Sequence, residues 1–150
     1  MSALSAIEVQ DLLNRNLPTV DHRGEVIESI GASSLRIRLP LRPEYLSRDL
    51  PAGSNQVVMS GPVMMGFSDT ALYACIHAFY GNEIFAAIVS FNVAFFRIAG
   101  ADDLVAEAKL LRKGKRLAFA EAHLYSGAST EPCAQITATY AIRPVVRAQA

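Results

Sequence analysis

Residues 61–80 read Gly61-Pro62-Val63-Met64-Met65-Gly66-Phe67-Ser68-Asp69-Thr70-Ala71-Leu72-Tyr73-Ala74-Cys75-Ile76-His77-Ala78-Phe79-Tyr80, and the reading of this run decides the fold. Its length is that of a membrane span. Ser68, Asp69, Thr70 and His77 argue against that, since a central carboxylate alone costs roughly 3 kcal/mol in lipid. Ser60 is a possible N-cap, Pro62 is tolerated in a first helical turn, and Gly81 is available as a terminator, so the run predicts one long helix. Every face of it is apolar, so it should be surrounded by protein.

The chain on either side supplies the wrapping. From Ser5 to Leu17 the positions Ile7, Val9, Leu12, Leu13 and Leu17 approximate a helical spacing that Pro18 ends, which predicts a short amphipathic helix acting as a lid on one edge. Gly24 to Ile30 and Leu35 to Leu39 read as a hairpin, because Leu35, Ile37 and Leu39 alternate with Arg36 and Arg38 and one face must be wet. Leu41 to Gly53, punctuated by Pro43, Pro51 and Gly53, reads as a loop, and Gln56 to Met59 as a short extended piece. After the long helix come four strand-like segments, Ile84 to Arg97, Leu104 to Lys113, Lys115 to Ser126 and Cys133 to Ile142. Phe85, Ala87, Val89, Phe91, Val93 and Phe95 are expected on one face of the first. A curved antiparallel sheet around one central helix satisfies this order in a single α+β domain over residues 1–150, with residues 1–20 as an N-terminal helical segment.

The 150 residues carry fourteen basic and fourteen acidic side chains, and 51% of them are hydrophobic. Zero net charge excludes a general attraction to nucleic acid or to an anionic membrane. High apolar content with 8% aromatics points to surface hidden against copies of the same chain, so a homo-oligomer is expected. Cys75 and Cys133 lie in apolar segments and read as reduced core thiols, and the start of the chain does not resemble a secretory signal, which together predict a cytoplasmic protein.

Three features carry chemistry. Asp69 is a carboxylate in an apolar helix, where desolvation costs several kcal/mol unless it is paired or opens to a cleft. It is either bonded locally to Ser68, Thr70 or backbone, or it is a general base or nucleophile. Gly61 begins the helix, where free amides present positive dipole to an oxygen acquiring charge. The two are eight residues, about 12 Å, apart along the axis, so one subunit cannot bring its own pair to one carbon, whereas two antiparallel helices could. The third feature is Lys109 to Arg116, holding five of the fourteen basic residues at a tight turn. It reads as a solvated turn or as a phosphate site built from Arg112, Lys113, Lys115 and Arg116. His77 reads as a core or interface histidine, and no His, Cys or carboxylate grouping has metal-ligand spacing, so no metal is expected.

Ser60-Gly61-Pro62 followed by Phe67-Ser68-Asp69-Thr70-Ala71, then Asn92-Val93-Ala94-Phe95-Phe96-Arg97, then Leu111-Arg112-Lys113-Gly114-Lys115-Arg116, resemble the hotdog-fold acyl-CoA thioesterases, in particular the phenylacetate-degradation type. The resemblance covers Pro43 to Ile142. It implies the hotdog fold, edge-to-edge dimers that often pair into tetramers, and hydrolysis of acyl-CoA thioesters to free acid and CoA, with coenzyme A entering as part of the substrate and no separate cofactor. It implies Asp69 as base or nucleophile, with Gly61 and Ser60 at the carbonyl. Met65, Thr70, Asn92, Arg97, Arg112, Lys113 and Lys115 are then expected to contact substrate, the basic ones at the CoA phosphates. The family commonly begins this helix with His-Gly-Gly, where Ser60 and Pro62 stand here, and ends the following strand with Arg-Pro, where Arg97-Ile98 stands. Those departures motivate the alternative of a non-catalytic acyl-CoA or acyl-carrier binding hotdog protein. The helix start is also similar to that of acyl-carrier dehydratases, but the histidine they need would fall near Val57.

Overall fold

The computed structural model describes residues 3–47 and 57–146. Residues 61–80 form one helix, α2 (Gly61–Tyr80), terminated by Gly81 at φ 89°, a left-handed conformation that glycine adopts without a Cβ penalty. Ahead of it lie α1 (Ala6–Asn16), β1 (Val26–Ile30), β2 (Ser34–Leu39) and two short paired strands, β3 (Leu46–Ser47) and β4 (Val58–Met59). After it come β5 (Ile84–Phe95), β6 (Leu104–Lys113), β7 (Leu117–Ser126) and β8 (Ala134–Pro144). The expected extended piece began at Gln56, which lies outside the described residues, as do residues 48–53 of the expected loop. The described part of that loop holds a short 3-10 turn, Pro43–Tyr45, and then β3.

Six strands form one antiparallel sheet in the order β1-β2-β6-β7-β8-β5. The strand leaving α2 does not pair with the next one in sequence; β5 crosses to the far edge and pairs with β8. The inner face of the sheet is lined by small residues, Ala106, Ala108, Ala118, Ala120, Ala122, Ala134 and Ala138, all buried. They leave room for the helix, whose Phe67, Leu72, Cys75 and Ile76 are fully buried among them with Leu35, Ile37, Leu124 and Ile136. Close packing of this kind supplies most of the stability of a domain this size. The result is the hotdog arrangement, a long helix packed against a curved antiparallel sheet.

The α1 expectation holds in outline and fails at one residue. Ser5 caps it in a reciprocal box with Glu8, and Val9, Leu12 and Leu13 are buried, whereas Ile7 is 83% exposed. Ile7 sits in the first turn on the far side from Val9 and Leu13, so it takes no part in the stripe. The lid is fastened by Gln10, which donates to the Glu25 carbonyl and accepts from the Ile27 amide on the edge strand β1. The hairpin face that had to be wet carries Arg36 and Arg38, both ion-paired to Glu28, with Glu107 and Asp103 completing the set. Cys75 and Cys133 are buried free thiols.

Two expectations are corrected. The six apolar residues of β5 do not share a face, because a bulge at Val89 interrupts the ladder: Ile88 pairs with Tyr140 and Ser90 with Thr139. Phe91, Val93 and Phe95 pair with Ala138, Ile136 and Ala134 of the inner face, while Phe85 and Ala87 sit opposite Arg143 and Ala141 on the outer face. An inserted residue shifts a period of two by one, which exchanges the faces on either side of it. Second, among the described residues α2 is not surrounded. Pro62, Met65 and Asp69 are exposed and Tyr73 is half-buried, a stripe at helical spacing that the sheet does not reach.

Candidate active site

The open stripe of α2 carries the carboxylate. Asp69 stands on it with its Oδ1 accepting a hydrogen bond of 3.0 Å from the Tyr140 hydroxyl on β8. Neither local partner weighed from the sequence holds it: Ser68 is buried and donates to the Met64 carbonyl at 2.7 Å, and Thr70 is buried on the core side. Partial burial raises the Asp69 pKa, the Tyr140 hydrogen bond pulls it back down, and the charges of Asp21 and Arg23 act in opposite senses, up and down. A carboxylate with a raised pKa, exposed at one edge and held from behind by a phenol, is disposed to accept a proton from a group arriving on the open side. Burial and the adjacent carboxylate push the Tyr140 hydroxyl well above the ordinary phenol range, so it stays a donor at all working pH values.

At the start of the helix, nothing lies within 4 Å of the place a Cβ on Gly61 would occupy, so a ligand can approach that backbone closely. Ser60 occupies the cap position, but its hydroxyl makes no capping bond to the helix, contrary to the role expected of it; the helix is positioned instead through the Ser60 amide, which donates to the Tyr45 carbonyl at 2.8 Å. Gly61 and Asp69 remain about 12 Å apart along the axis of one helix. Met65 is 42% exposed on the same stripe as Asp69, whereas Thr70 is turned into the core and is not brought to the open side. Asn92 is exposed opposite Thr137 on the outer face of the sheet, and its amide donates to the Ser90 hydroxyl. It is on the side of the sheet away from α2.

The basic turn lies at the other end of the helix. Tyr80 donates to the Gly114 carbonyl, and the Lys113 ammonium stands 5.2 Å from the Tyr80 ring centre, so the hairpin is fastened to the C-terminal turn of α2. Lys115 and Arg116 join Arg143 and Ile84 around a cavity of about 600 Å³ at that end. Arg97 is elsewhere: it follows the last residue of β5 and is ion-paired with Glu131. Since β5 has twelve residues, Arg97 and the hairpin are some 40 Å apart along the strand direction within one chain.

His77 is buried with its Nδ1 2.9 Å from the Gly81 carbonyl oxygen and its ring 4.5 Å from that of Tyr73, and burial lowers its pKa. It is the core histidine the sequence favoured. Among the described residues no group of three or more His, Cys, Asp or Glu side chains could hold a metal ion. Three residues that act on Asp69 were not found by sequence reasoning: Tyr140, 71 positions away, which bonds it, and Asp21 and Arg23, between α1 and β1, whose charges reach it. No local spacing joins them to Asp69; only the folded sheet does.

A sequence profile described as "Thioesterase superfamily" matches residues 57–133, just over half of the chain, from β4 through the turn before β8. No curated protein matches the chain in sequence. Among solved structures, a protein from a Silicibacter species described as a thioesterase is similar at a TM-score of 0.79 and 27% identity, with 96% of each chain covered. A thioesterase from Haemophilus influenzae superposes with the same TM-score at 14% identity, over 97% of this chain and 95% of that one. A thioesterase family protein from Silicibacter pomeroyi gives 0.76 at 20% identity, over 93% and 98%. The profile spans both the Gly61 helix start and Asp69 on its open stripe, and the chain belongs to the thioesterase superfamily.

Proposed function

We propose that this chain hydrolyses acyl-CoA thioesters to free acid and CoA, in a site completed by a second copy of itself, in the manner of the phenylacetate-degradation type. Superfamily membership supports thioester hydrolysis as the reaction class. The observation that carries the assignment of residues is Asp69, an exposed carboxylate with a raised pKa on the one uncovered stripe of an otherwise buried helix. Asp69 either takes the proton from a water attacking the thioester carbonyl or attacks that carbon itself. In both cases the C–S bond breaks, negative charge on the carbonyl oxygen is met by the Gly61 amide, and CoA leaves as the thiol after taking up a proton; where Asp69 is the nucleophile, water then cleaves the mixed anhydride, releasing the free acid and restoring the carboxylate.

Two features support completion by a partner. Among the described residues no strand pairs with the outer edge of β5, and Phe85 and Val89 are each 62% exposed along it. Antiparallel pairing of two such edges would carry the Arg97 end of one β5 toward the basic hairpin of the other, reuniting residues that one chain keeps apart. The same pairing would set the open stripes of the two α2 helices near each other, Gly61 of one toward Asp69 of the other. Arg112, Lys113 and Lys115 then hold CoA phosphates, and Met65 lines the acyl side. Among the described residues no helix is long and apolar enough to cross a membrane; a cytoplasmic location remains part of the proposal.

Release of free thiol from a panel of acyl-CoAs tests the reading. In Asp69→Asn the rate is expected to fall at least ~100-fold. Equal rates in variant and parent would remove Asp69 from the reaction. Tight binding of CoA esters by the parent with no turnover would favour the alternative of a non-catalytic acyl-CoA or acyl-carrier binder, for which Ser60 and Pro62 at the helix start are the specific observation.

A further inference from the structure

Gly66 lies on α2 three residues before Asp69, on the neighbouring position of the same side of the helix. The Arg23 guanidinium rests against it: a Cβ at Gly66 would stand 2.7 Å from Nη2 and 3.1 Å from Cζ. The arginine has been brought there by a built arrangement. Its side chain is only 18% exposed, its Nη2 is 3.3 Å from Asp21 Oδ1, and its Nη1 is 3.6 Å from Glu25 Oε1. The Tyr45 hydroxyl donates to its carbonyl, and its amide donates to Glu25 Oε2. Nη1 and Glu25 Oε1 are both buried, and among the described residues neither finds a hydrogen-bond partner. Long cationic side chains are seldom drawn in this way from solvent, at the expense of a satisfied N–H, when their charge serves only solubility.

We propose that Arg23, laid across Gly66 with Asp21 as its ion-pair partner, is a positioning residue for the Asp69 carboxylate three residues further along α2. Because this role concerns the carboxylate named in the proposed function, it rests on that reading for its catalytic meaning, though not for its physical content. Asp69 is faced by the Tyr140 hydroxyl from β8, by Asp21 and Arg23 from the segment between α1 and β1, and by Tyr73 one turn further along its own helix. Tyr140 donates whatever the working pH, so the adjustable charges are the two of the ion pair. Arg23 favours the carboxylate and Asp21 opposes it. In the intact pair the two act in opposite senses on a carboxylate that burial holds above its ordinary range. Gly66 makes the arrangement possible, since any side chain there would push the guanidinium off the helix.

The pair makes predictions of opposite sign, which a merely structural ion pair does not. Titration of the Asp69 carboxyl carbon, followed by 13C NMR in the full-length protein, reads its ionisation without requiring turnover. Its midpoint is expected to move up in Arg23→Gln and down in Asp21→Asn. In Gly66→Ala, which displaces the same guanidinium, it should move up as in Arg23→Gln. Where acyl-CoA hydrolysis is measured, the acid limb of kcat/KM should move with the midpoint, so that the rate at low pH relative to the plateau falls about threefold in Arg23→Gln and rises in Asp21→Asn. Midpoints that stay put in all three variants, or that move the same way in Arg23→Gln and Asp21→Asn, overturn the inference. A shifted carboxyl midpoint in a protein that hydrolyses no thioester upholds it and removes the proposed function instead.

Discussion

The Tyr140 hydroxyl donates to Asp69 Oδ1 across 3.0 Å, joining the core face of β8 to the open stripe of α2. The bond does two things at once. It fixes the carboxylate rotamer from behind, and by stabilising the charged form it offsets part of the burial that raises the Asp69 pKa. Tyr140→Phe keeps the ring that fills the core and removes only the donor. We expect kcat/KM to fall ~10-fold, as for loss of a charge-assisted hydrogen bond, and its acid limb to move to higher pH. A pH–rate profile checks both, and an unmoved acid limb would show that the bond does not reach the ionising group.

The raised pKa of Asp69 also has a stability consequence. A carboxyl whose folded-state pKa exceeds its unfolded value binds more protons when folded, so stability falls as pH rises through that window and remains reduced above it. Asp69→Asn abolishes this loss while leaving an oxygen for Tyr140 to donate to. Its Tm at pH 7 is therefore expected to equal or exceed that of the parent, with any advantage vanishing below pH ~3.8. Thermal melts across pH check it, and an inactive Asp69→Asn protein that is more stable would mark a residue kept for chemistry rather than for folding.

The basic hairpin is anchored on Tyr80 by the Gly114 carbonyl and the Lys113 ammonium, so Lys115 and Arg112 can be neutralised without unfastening it. In Arg112→Gln/Lys115→Gln the KM for an acyl-CoA should rise ~10-fold with little change in kcat, and the salt dependence of KM should flatten. A thioester of a short uncharged thiol serves as the control, and its KM should not respond. If both substrates are affected equally, the hairpin is a structural turn and not a phosphate site.

How far the sequence foretold this site depends on the distance over which each part is specified. The span of α2 was legible to the residue because Pro62 and Gly81 act locally, and Asp69 stood out because a carboxylate is costly in an apolar helix. The strand limits came out within two residues for the same local reason, alternation bounded by turns. What could not be read is non-local. The partner of Asp69 is 71 residues away, and nothing near Tyr140 marks it from the other buried residues of β8. Arg23 reaches the helix only because Gly66 leaves space, a relation between two glycine-adjacent segments with no shared pattern. The bulge at Val89 defeated the period of two in β5 because an inserted residue has no composition signature of its own. All-round hydrophobicity of α2 implied a fully surrounded helix and could not say that one stripe, carrying Met65 and Asp69, is left uncovered by the sheet of its own chain.

That uncovered stripe leads to the central claim, that Gly61 and Asp69 act from different subunits. Gly61→Pro removes the helix-start amide at a position where proline is tolerated, and Asp69→Asn removes the carboxylate. Each variant alone should be inactive. Mixed as equal amounts of unfolded chain and refolded together, or co-expressed, they should regain about a quarter of the wild-type rate, because half of randomly paired dimers are mixed and one of the two sites in each is then intact. Recovery approaching that value is the result expected for a shared site. No recovery in mixed dimers whose formation is verified by mass would contradict it, placing both residues of each site in a single chain.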